Sequence, residues 1–121
     1  MHLNEFEGLV SKALEDLPAP VLEMLENVAV TVADFPTHEQ MQQNRIHDRY
    51  DLLGLYEGIP LTDRPSGYSM VLPDKITIFK GPLEAISESS EMLAQEVRNT
   101  IVHELAHHFG FDDSDLESLG R

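Results

Sequence analysis

The sequence predicts an α+β fold: a small twisted sheet of three or four strands packed on one long helix, with further helices at the N-terminal end. Three observations lead there. Apolar residues recur at helical spacing near both ends of the chain. β-Branched, strand-like runs lie between them, and Gly and Pro punctuate the runs. At 121 residues the chain is expected to form a single domain, 1–121.

Each element has its own signal. Leu3, Phe6, Val10, Leu14 and Leu17 repeat every three or four positions, giving an amphipathic first helix that ends before Pro18. Pro20 opens a short second helix over 20–26, because a helix's first turn has no use for the N–H that proline lacks. Residues 28–33, VAVTVA, are β-branched and alternating and predict a strand. Residues 36–49 are polar and read as a loop or a short helix. Residues 52–57 form a second strand, followed by a Gly- and Pro-containing loop to Tyr68. Pro73 and Asp74 turn into a third strand, KITIFK over 75–80, which Gly81 and Pro82 stop. Ser87, Ser89 and Ser90 supply caps for a helix over about 89–109. In that helix Leu93, Val97, Ile101, Leu105 and Phe109 form an apolar stripe at steps of four. Residues 115–119 can form a last helical turn.

Composition removes several function classes. The chain has no cysteine, which excludes disulfides, thiolate metal sites and cysteine nucleophiles. Its net charge of −14, with eight Lys and Arg, argues against nucleic acid and against anionic membrane surfaces; it suits a basic partner, and equally serves solubility alone. No apolar run approaches the ~20 residues that span a bilayer. No basic segment leads into an apolar one near Met1, so a cytoplasmic protein is expected.

The chemistry is concentrated in HELAHHFGFDD, residues 103–113. His103 and His107 are four apart, so on a helix they project from one face, one turn above the other, and can grip one Zn²⁺. Glu104 sits beside them, suited to take a proton from an activated water. Gly110 can take positive φ and end the helix, letting the chain turn back and offer Asp113 as third ligand. Three protein ligands leave a fourth position open, as in catalytic rather than structural zinc sites. H-E-x-x-H alone arises by chance in about 3% of chains of this composition, and adding the Gly and the Asp or His at these spacings lowers that to roughly 0.02%.

At these residues the chain resembles the zincin-like metallopeptidases, specifically short bacterial proteins with a minimal zincin fold. GIPLTDR (58–64), LPDKITIFKGP (72–82) and EVRNTIVHELAHHFG (96–110) are similar to that family's loop, strand and active-site helix, in matching order over about a third of the chain. The resemblance implies a minimal zincin-like sheet against the motif helix, and one zinc held by His103, His107 and Asp113. Glu104 would be the catalytic acid/base, and a peptide or protein the substrate. It also implies that the strand 75–80 is the sheet edge that binds extended peptide. The larger metzincins use His as third ligand and carry a Met-containing turn downstream; neither stands here. A zinc-binding interaction module with little proteolysis is therefore the alternative reading.

Other residues are weighed against these. His108 points about 100° away from His107 and is a poor ligand, better suited to packing. Asp112 is the rival of Asp113, but the glycine-turn spacing favours Asp113. Asp115 or Glu117 can accept a hydrogen bond from a ligand imidazole. Tyr50, Tyr56, Tyr68, Arg64 and His47 are all candidate donors to a developing oxyanion, and Tyr56 also reads as a core residue of its strand. His2 and His38 are expected to be exposed and inert.

Overall fold

The computed structural model describes residues 1–58 and 74–110. Two helices open the chain, α1 (Leu3–Glu15) and α2 (Ala19–Met24), followed by strand β1 (Val28–Ala33). Helix α3 (His38–Gln43) and a 3-10 turn at Arg49–Asp51 lead to β2 (Gly54–Glu57). Strand β3 (Asp74–Phe79), the short α4 (Lys80–Ala85) and the long α5 (Ser90–Phe109) complete the fold. It is a small α+β architecture, as the residue pattern predicts.

The strand order is β1-β3-β2, with β1 parallel and β2 antiparallel to β3. Ile76 and Ile78 of β3 join Phe6, Val10 and Ala13 of α1 and Leu93, Val97, Ile101 and Leu105 of α5 in one apolar core. Thr77, between the two isoleucines, faces the other way and is also buried, its hydroxyl 3.3 Å from that of Thr31 on β1. A strand buried on both faces belongs in the middle of a sheet.

One open expectation is settled and two change. The polar stretch 36–49 contains a true helix, α3, because Thr37 and Gln40 form a reciprocal capping box. Gly81 and Pro82 do stop the strand, but they also begin α4: Pro82 sits in the first helical turn, where its missing N–H is tolerated, and Leu83 is fully buried. Gly81 is required there, since a Cβ would lie 2.3 Å from the Phe35 ring. Finally, Phe109 is 49% exposed rather than part of the buried stripe. Residues four apart drift about 40° per step around a helix, so Phe109 lies roughly 160° from Leu93 and leaves the core face. The predicted last turn at 115–119 lies outside the described residues. Among the described residues, no helix is long and apolar enough to cross a membrane.

Candidate metal and catalytic site

Helix α5 carries the site. Ser89 caps it by accepting the Met92 N–H at 3.1 Å, and Leu93, Val97, Ile101 and Leu105 turn into the core. With that stripe fixed inward, His103 and His107 must face outward on the neighbouring strip. Both are exposed, and their ring centroids are 4.3 Å apart with a 59° tilt. Glu104 lies between core and surface and is half-buried. Gly110 ends α5 at φ 75°, in the left-handed region that glycine adopts without steric cost, and its N–H donates to the Ala106 carbonyl.

The wall opposite α5 is β2. The Phe79 N–H donates to the Leu53 carbonyl at 3.0 Å, so by the alternation of an antiparallel ladder Leu55 and Glu57 also face β3. Gly54 and Tyr56 then direct their backbone groups outward. The Tyr56 N–H donates to Glu104 Oε1 at 3.1 Å. Burial raises the Glu104 carboxyl pKa above its usual value, with the Tyr56 N–H and the two histidines pulling the other way. A cleft of ≈ 370 Å³ runs between Leu52, Leu53 and Gly54 on one side and Glu96, Thr100, His103, Glu104 and His107 on the other. A second hollow of ≈ 430 Å³, reaching Leu17, Pro18 and Arg98, adjoins it across Asn99 and His103.

The strand expected to be the sheet edge, 75–80, is not one. β3 is the central strand, paired on both sides, and β2 is the strand flanking α5 with no further strand beyond it among the described residues. The run ITIF, apolar without clean alternation, is the local sign of a strand covered on both faces.

The other predicted residues are dispersed. The Tyr56 hydroxyl donates to Asp74 Oδ2 at 2.8 Å; burial, then that hydrogen bond, pushes the phenol pKa well above its ordinary range. That hydroxyl is committed to Asp74. Tyr50 packs edge-on against Phe35 beside Arg49, away from the cleft, and His47 and His38 border a separate hollow near Met41. His108 does not join the histidine pair: its ring stacks on Tyr56 at 3.9 Å and 16°. Asp112, Asp113, Asp115, Glu117, Arg64 and Tyr68 lie outside the described residues. Among the described residues no group of three metal-binding side chains is assembled. What they do contain fits a zinc ion: two exposed imidazoles a turn apart, open to a cleft, with a half-buried carboxylate beside them. The Tyr56 backbone N–H was not legible as a site group, because backbone contacts between distant elements leave no residue signature.

The sequence model of a protein family described as zincin-like metallopeptidase matches residues 25–121. No curated protein matches the chain.

Proposed function

Because this chain belongs to the zincin-like metallopeptidase family, we propose that it is a zinc-dependent peptidase whose ion is held, one per chain, by His103, His107 and Asp113. The observation that carries this reading is the His103–His107 pair beside Glu104, lining one side of an open cleft. Bound there, zinc would supply a Lewis acid that polarises the scissile carbonyl and acidifies the attacking water. The chain's own groups do the rest. Glu104 takes a proton from that water and passes it to the leaving amine, and its raised pKa suits a group that must both accept and donate. The Tyr56 N–H holds the carboxylate in place between these transfers. An extended peptide lies along the outer side of β2, with its scissile bond toward the histidines. The substrates are peptides or proteins, and basic ones are compatible with the net charge of −14.

The test is hydrolysis of a diverse peptide library by wild type and Glu104→Ala, with zinc content measured in parallel. Wild type is expected to hold close to one zinc and to cleave. Glu104→Ala should keep its zinc and lose about 10²–10⁴-fold in rate, the usual range for a positioned general acid/base. Equal rates would leave a zinc-binding interaction module as the description. Unchanged zinc in a His103→Ala/His107→Ala variant would remove the site itself.

A further inference from the structure

We propose that Tyr56 and His108 form a positioning device that sets the orientation of the metal-binding turn of α5, an inference that rests on the zinc site described above. The buried stripe that seats α5 on the core ends at Leu105 and Ala106. His107, His108 and Phe109 are all exposed, so the turn carrying the second histidine of the pair has left the core behind. Tyr56 takes over there. Its ring lies flat on His108, and Phe109 meets the same ring edge-on at 6.4 Å. Its N–H holds Glu104.

Glu104 and His108 are four residues apart and share one strip of the helix. A single residue of β2 therefore grips two consecutive turns of α5 at two points. Two points on one strip fix both rotation about the helix axis and approach to the sheet, and His107 is thereby aimed. Tyr56 is itself anchored: it lies opposite Ile76 between the ladder-bonded Leu55 and Glu57, and its hydroxyl donates to Asp74 on the central strand. The flat face of His108, rather than its nitrogens, is the working feature. This accounts for a second histidine, directly after His107, that points away from the cleft.

The experiment compares His108→Ala, His108→Phe and Tyr56→Leu with wild type. The readouts are Zn²⁺ affinity by chelator competition and the visible spectrum of the Co²⁺-loaded protein, which reports ligand geometry. His108→Ala should bind zinc about tenfold more weakly, at the lower end of what losing a ligand-orienting neighbour costs. Tyr56→Leu should match it, and both should shift the cobalt bands. His108→Phe, which keeps a flat ring and cannot ligate, should restore affinity and spectrum to wild type. Affinity and spectrum unchanged in His108→Ala would overturn the proposal, as would a Phe variant as weak as the Ala one. Wild type that binds no zinc would instead overturn the zinc reading, and this inference with it. His108 is exposed, so its variants are expected to fold.

Discussion

Gly54 stands where β2 passes close to α5, and replacing it with alanine should separate the two walls of the cleft. A Cβ there would lie 2.6 Å from Thr100 Cγ2, 3.2 Å from the Thr77 carbonyl oxygen and 3.3 Å from Ile78 Cδ1. Carbon atoms rest about 3.5–4.0 Å apart, so strand and helix must part by roughly 1 Å. Thr100 cannot easily yield, being 7% exposed with its hydroxyl bonded to the Glu96 carbonyl at 2.7 Å. Overpacking of this kind costs about 1–3 kcal/mol. Alanine's smaller unfolded-state freedom returns about 0.4–1 kcal/mol, leaving a net cost for Gly54→Ala of about 0–2.6 kcal/mol, centred on about 1 kcal/mol. Set against a total stability of about 5–15 kcal/mol, that is measurable. Urea denaturation of the metal-free protein, followed by circular dichroism, is the assay. Thr100→Ser supplies the control, since it removes the clashing methyl and keeps the hydroxyl. In the serine background Gly54→Ala should cost about 1 kcal/mol less, because touching residues do not contribute additively. Gly54→Ala and Thr100→Ser costs that simply add would refute the close approach of β2 and α5.

Two further outcomes are expected. Glu104 in the metal-free fold has its pKa raised above the ordinary 4.5, so the folded state holds this proton more tightly than the unfolded chain. Stability from this group is therefore greatest below pH 4.5 and falls as pH rises toward the folded value. Relative to wild type, Glu104→Gln should gain stability through that window in urea titrations between pH 4 and 8, and a difference independent of pH would count against it. Asp113→Ala should release zinc to a chelator more readily than Asp112→Ala, by more than the 10–100-fold typical of residues that only orient ligands; the reverse order would make Asp112 the ligand.

The amino-acid pattern alone specified a good deal of this protein. The buried faces of α1 and α5 follow from apolar residues at Phe6, Val10, Leu93, Val97, Ile101 and Leu105, since helical periodicity is local and survives without knowledge of neighbours. The spacing of His103 and His107 likewise determined their common side of α5, because four residues make about one turn, and put Glu104 about 100° round from His103. Strand order was a different matter. Which of three short strands lies at the centre depends on pairings between residues far apart in the chain, such as Val30 with Ile76, and no local pattern encodes a partner. Only the folded chain put β3 in the middle and β2 beside the site, turned a backbone N–H of Tyr56 toward Glu104, and gave His108 its stacking partner. Side-chain type and spacing determine which groups a helix can present. The tertiary structure decides what stands opposite them, because that depends on contacts closed across long stretches of chain.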